Sequence, residues 1–128
     1  MRAVIDTNVI ISALFWGGRP RRVVDLAAAG RFQAVTSPEL DTVLAEDFDV
    51  PPERLDLILR DVLSYAELVG SVEELEAPVR DAADLAVIAC ALAGQADVIV
   101  TGDRDLLDLE QFRGVRVLSV SEFLLSLG

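Results

Sequence analysis

Short apolar runs rich in valine and isoleucine alternate along the chain with segments whose apolar residues recur every three or four positions. The first pattern predicts buried strands and the second predicts helices. Residues 2–6 (RAVID) predict a strand, an apolar helix follows through about Leu14, and WGGRP at 16–20 predicts a turn. Residues 21–30 predict a helix with Val23, Val24, Leu26 and Ala27 inward, stopped by Gly30 as a C-terminal cap. FQAVT at 32–36 predicts a second strand. Ser37, Pro38 and Glu39 then supply an N-cap, a first-turn proline and a first-turn acid, the usual start of a helix. Residues 51–65 open on Pro-Pro-Glu and repeat Leu55, Ile58, Leu59 and Val62 at helical spacing. A short acidic helix is expected near 71–76, a long one over 81–94, a third strand over 97–101 (DVIVT) and a short helix over 103–109. VRVLS at 115–119 predicts a fourth strand, and SEFLLSL closes the chain as an amphipathic helix.

Strands separated by helices predict an α/β fold, a three-layer α/β/α sandwich around a mainly parallel sheet of four to five strands. The unbroken apolar character of VIVT and AVI suits strands buried on both faces. In such sheets, ligands bind beyond the carboxyl ends of the strands, where the strand order reverses. With 128 residues, 52% of them hydrophobic, the expectation is a single domain spanning 1–128.

One stretch breaks the apolar rule. In AVIDTNVII (residues 3–11), Asp6, Thr7 and Asn8 are wedged between two hydrophobic runs. Asp6 falls at the carboxyl end of the first predicted strand, and Asp103 falls just past the third, in VTGDRD. If those strands flank the reversal, the two carboxylates share a crevice. Asp81 and Asp84, in VRDAADLAV, stand in the first turn of the long helix. Composition narrows the chemistry. The chain has no histidine, and all of its 11 positive charges are arginine. That removes histidine bases, histidine-ligated zinc, lysine Schiff bases and a P-loop. Clustered aspartates without histidine or cysteine call for a hard divalent cation with oxygen ligands, such as Mg²⁺ or Mn²⁺. The net charge of −11 runs against a nucleic-acid binder, which normally offers positive surface to phosphates.

DTNVIISALFWGGRP, VTSPEL, RDAAD before an apolar helix, and VTGDRDLL resemble, in order, the landmarks of the PIN-domain family, most of all the VapC-like toxins of bacterial toxin–antitoxin pairs. The resemblance implies a PIN-like domain and a metal-dependent endoribonuclease, with RNA as substrate, Mg²⁺ or Mn²⁺ as cofactor, and a cognate antitoxin protein as partner. It also implies a homodimer. Carried over by position, Asp6, Asp84 and Asp103 match the family's acids, Asn8 and Thr101 its supporting polar residues, and Asp105 an auxiliary acid. The family's helix glutamate is not at its place. SPELDTVLAEDFD puts Val43 there, or Thr42 with one residue lost, while Glu39 and Glu46 lie about one turn to either side of Val43, so either is a candidate to join Asp6, Asp84 and Asp103 as a metal ligand.

The alternative is a PIN-fold module that has lost turnover and pairs with an antitoxin or RNA. A phospho-acceptor receiver domain ranks far behind, because it relies on a lysine that this chain lacks. Arg19, Arg21 and Arg22 form the only basic cluster and are candidates for RNA phosphates; Trp16 beside Gly17 and Gly18 suits packing or partner contact. The stripe Leu55, Ile58, Leu59 and Val62 is either a dimer surface or core. The lone Cys90 sits in an apolar helix and is expected in the core of a chain kept in a reducing cytoplasm. No apolar run is long enough to span a bilayer, and Met1 leads almost directly into the first strand, so neither membrane nor targeting segment is expected.

Overall fold

The structure, a computed structural model, describes residues 1–47, 50–70 and 75–128. Its first part runs β1 (Arg2–Ile5), α1 (Thr7–Trp16), α2 (Gly18–Ala28), β2 (Gln33–Thr36) and α3 (Pro38–Asp47). Then come α4 (Pro52–Tyr65), β3 (Ala66–Leu68), α5 (Ala82–Ala93) and β4 (Val98–Val100). The chain finishes with α6 (Arg104–Leu107), β5 (Gln111–Phe112), β6 (Val115–Leu118) and α7 (Val120–Ser126).

The strands form one sheet in the order β3-β2-β1-β4-β6-β5. All neighbours are parallel except β5, which runs antiparallel to β6. Alternate residues of the central strands point to opposite faces. Ala3, Ile5, Ala34, Val98 and Val100 join Val9, Ile10, Val23, Val62 and Phe123 in one core. Val4, Val35 and Ile99 join Leu40, Val87, Ile88 and Leu106 in the other. Helices α1, α2, α4 and α7 therefore cover one face and α3, α5 and α6 the other, which is the expected three-layer sandwich. After β3 the chain returns to the far side of β1 to lay down β4, so the order reverses between β1 and β4. Crevices for ligands open at such a point.

Two strands escape the sequence pattern. Strand β3, AEL, carries helix-favouring residues and follows α4 directly; pairing with β2 at the sheet edge makes it extended. Strand β5 has two residues and turns into β6 through Arg113 and Gly114, at φ 49° and 84°. A two-residue hairpin needs positive φ at both places, and Asn-Gly is the pair that usually announces it. Helix α2 starts at Gly18 rather than at 21, because Gly17 at φ 71° lets the chain leave α1 and restart at once.

The expected acidic helix at 71–76 falls largely on residues 71–74, outside the described residues, and residues 75–76 are not helical. Along α4 the stripe divides: Ile58 and Val62 turn inward, while Leu55 and Leu59 are half-buried and line a surface cleft with Pro52, Glu53 and Asp56. Val62 is buried and Ile58 packs against the core, so the exposed apolar residues of this helix are Leu57 and Leu63. Cys90 is buried in the core as expected. No helix among the described residues is long and apolar enough to cross a membrane.

Candidate metal centre

Asp6 occupies the N-cap position of α1, yet its side chain makes no cap hydrogen bond. It turns across the sheet instead. The Thr101 hydroxyl, from the residue after β4, donates to Asp6 Oδ2 at 2.6 Å. The same hydroxyl accepts from the Asp103 backbone N–H at 2.9 Å. Thr101 is fully buried, and its own N–H is held by Leu118 O of β6. One threonine thus fixes a carboxylate at the end of β1 relative to the loop that follows β4. Asp103 caps α6, its Oδ1 accepting from Asp105 N–H at 2.8 Å. That bond presents Asp105 beside it.

The third acid comes from the other layer. Asp81 caps α5 by accepting from Ala83 N–H at 2.7 Å. Asp84, in the first turn, is buried at 4% exposure. Carboxylate oxygens of Asp84, Asp103 and Asp105 lie within 4.8 Å of one another. Burial, followed by the charge and hydrogen bonding of Asp103 and then the charges of Asp81 and Asp6, pushes Asp84 up to about 7. Asp6 is also raised, by burial above all and by the Asp103 charge, against the lowering bonds from Thr101 and Thr7. Such a set is unfavourable while charged and uncompensated.

These observations bear on which ion fits. The donors are all oxygens, the ligand type of hard divalent cations rather than of zinc or copper. Asn8 adds a buried Oδ1 with no hydrogen-bond partner, an acceptor that calls for a donor or a cation. The residues present therefore fit Mg²⁺ or Mn²⁺.

Other expected residues stand elsewhere. Leu40 and Leu44 dock α3 on the core. This turns Glu39, Val43 and Glu46 toward a cleft of about 530 Å³ that they share with Asp81 and the alanines of α5. Asp6, Glu39 and Glu46 all lie outside the close group of Asp84, Asp103 and Asp105, though the charge of Asp6 acts on both Asp84 and Asp103. Helix α2 starts beyond the far end of the ten-residue α1 from Asp6, and Arg19, Arg21 and Arg22 stand in its opening turns. Arg21 pairs with Asp25, and Arg19 donates to Ser121 Oγ at 2.9 Å. Trp16 is 78% exposed at that end.

Thr101→Val is expected to destabilise the protein by about 1–3 kcal/mol, because it strips a buried carboxylate and an amide of their shared partner at constant shape. Chemical denaturation measures the loss, and Thr101→Ser should recover most of it. Equal stability for the valine variant would deny the hydroxyl its joining role.

A family model described as the PIN domain matches residues 2–105. No curated protein sequence matches the chain. Among solved structures, a chain in the crystal structure of VapBC2 from Rickettsia felis, bound to a DNA fragment from their promoter, is similar in fold. Its TM-score is 0.67 at 16% identity, over 93% of this chain and 98% of that one.

Proposed function

The chain belongs to the PIN-domain family, and from that premise we propose that it is a Mg²⁺- or Mn²⁺-dependent endoribonuclease, the toxin of a toxin–antitoxin pair. The observation that carries this reading is the convergence of Asp84, Asp103 and Asp105, with carboxylate oxygens within 4.8 Å, beside Asp6 at the strand reversal. Asp6, Asp84 and Asp103 are the metal ligands in this reading, and Asp105 assists them. A divalent cation held there supplies the positive charge that activates water and offsets the charge developing on a phosphodiester. The chain's own groups do the rest. Thr101 orients Asp6 through its 2.6 Å bond, Asp103 orients Asp105, and Asn8 offers its unpartnered Oδ1 to a water or to the substrate. Burial of Asp6, Asp84 and Thr101 keeps the local dielectric low, where charges act strongly on one another.

The antitoxin partner is proposed from the likeness to a chain of a VapBC2 complex, and homodimerisation from the family resemblance. Exposed Leu14, Phe15, Trp16 and Leu57 supply apolar surface for such contacts. The test is cleavage of single-stranded RNA with Mn²⁺. Wild-type protein is expected to cleave and to stop in excess chelator, and Asp6→Asn is expected to have lost cleavage with Mn²⁺ present. Undiminished cleavage in either case would sink the reading.

A specific observation favours a second reading. Val43 fills the place of the family's glutamate, and Glu39 and Glu46 open on a different cleft. A PIN-fold module that binds without turnover would show weak Mn²⁺ binding by calorimetry and no cleavage at any Mn²⁺ concentration.

A further inference from the structure

An acidic chain that handles RNA must place positive charge where the strand lies, and the basic cluster on α2 is at the wrong end of α1 to do so. Besides Arg104, which lies between Asp103 and Asp105 in the chain, a second arginine stands beside the acids. Arg80, just before the α5 cap, is exposed and shares a cleft of about 450 Å³ with Pro78, Val79, Asp105, Asp108 and Leu109. That volume lies within the rough 300–1,000 Å³ range of ligand pockets. Asp105 belongs both to this cleft and to the close group with Asp84 and Asp103, so the cleft abuts the acids directly.

Among the described residues Arg80 also pairs with no carboxylate. The arginine ion pairs among the described residues are Arg2–Glu67, Arg21–Asp25 and Arg60–Asp56. A guanidinium that shares a cleft with Asp105 and Asp108 and pairs with neither keeps its planar donors for an anion from outside. Pro78, Val79 and Leu109 give the same cleft an apolar wall, against which a sugar or base can lie.

We propose that Arg80 binds the backbone phosphate next to the one that is cleaved, and that the nucleotide carrying it occupies this cleft. This rests on the ribonuclease reading and adds a residue that acts in substrate binding. A cation held by the acids would offset the charge of one phosphate, and Arg80 offsets that of its neighbour. RNA is thereby accepted locally on a chain of net charge −11, because screening confines the repulsion of distant acids to about 10 Å at 0.1 M salt.

The experiment compares wild type, Arg80→Ala, Arg80→Lys and Arg60→Ala. Arg60 is paired to Asp56 on α4, so its removal reports the loss of one positive charge alone. Fluorescence polarisation with a labelled single-stranded RNA of mixed sequence, with Ca²⁺ in place of Mn²⁺, gives affinity from about 50 to 200 mM salt. Arg80→Ala is expected to bind about tenfold more weakly, with the slope of log affinity against log salt reduced by about 0.7. In Mn²⁺ its KM should rise in proportion while kcat stays within about twofold. Arg80→Lys should restore part of the affinity, and Arg60→Ala should behave as wild type. If wild type cleaves RNA while Arg80→Ala binds no worse than Arg60→Ala, or loses kcat at unchanged KM, the assignment of Arg80 falls and the nuclease stands. If wild type neither binds nor cleaves RNA, both fall.

Discussion

Asp84→Asn is expected to lower Mn²⁺-stimulated RNA cleavage by about 10³-fold or more and, at the same time, to raise the melting temperature of the metal-free protein at pH 7.5 by about 3–6 °C. The two effects share one cause. The carboxyl is buried on α5 at 4% exposure and faces Asp103, Asp81 and Asp6, so in its charged form it costs folding energy that only a cation returns. Asparagine keeps the shape, removes the charge and offers a poorer ligand. Losing several kcal/mol of charge stabilisation in the transition state corresponds to the stated drop in rate. Relief of roughly 1 kcal/mol of repulsion moves the melting temperature of a domain this size by a few degrees. Steady-state cleavage and a thermal melt by circular dichroism measure the pair. A variant that loses activity and also melts lower at this pH would make Asp84 a structural residue, and a variant that keeps activity would remove it from the metal site.

The same physics explains how much of the site was legible in the sequence. Asp6 and Asp103 stand out because each ends a predicted strand, and a polar residue in an apolar run has to be satisfied somewhere. The parallel sheet then puts their strands side by side, as β1 and β4. Asp84 is legible as a first-turn acid on an otherwise apolar helix. What periodicity fixes is the angle between residues on one helix, and it leaves open which way that helix is rolled on the sheet. So Glu39, Val43 and Glu46 were readable as near neighbours, while their direction, into a cleft with Asp81, follows from Leu40 and Leu44 docking in the core. Arg80 appeared only as the opening residue of RDAAD, with no role to be read from it. It matters only because α6 brings Asp105 next to it from 25 positions further along the chain. Strand β5 was hidden for a local reason, an arginine at a positive φ where a turn usually shows asparagine.

Metal-free protein is expected to lose thermal stability as pH rises from about 4 to about 7, and Mn²⁺ is expected to return it, most strongly at the top of that range. The sign follows from the direction of the shift. Asp84 holds its proton up to about 7 in the folded chain, against an ordinary value of 3.8. Between those values the folded state binds a proton that the unfolded state has released, so each step up in pH favours unfolding. The penalty is absent below about 4 and complete above about 7. Asp6 and Asp41, also raised by burial, act in the same sense. Glu122 is lowered by its capping bonds with Ser119 and acts oppositely. Its contribution is present above the ordinary glutamate value of 4.5 and disappears as pH falls further, below most of the window. Mn²⁺ binds the deprotonated acids, so protons compete with it. At about a hundred times its dissociation constant, a cation adds about 2.7 kcal/mol, or about 10 °C for a domain of this size. At pH 5 the same concentration should give a small fraction of that shift. Melting curves from pH 4 to 8, at constant ionic strength and with or without Mn²⁺, test this, with Asp84→Asn as the variant that flattens both dependences. A metal-free melting temperature that rises steadily to pH 8, or an Mn²⁺ shift independent of pH, would mean that these acids neither store the repulsion nor bind the ion.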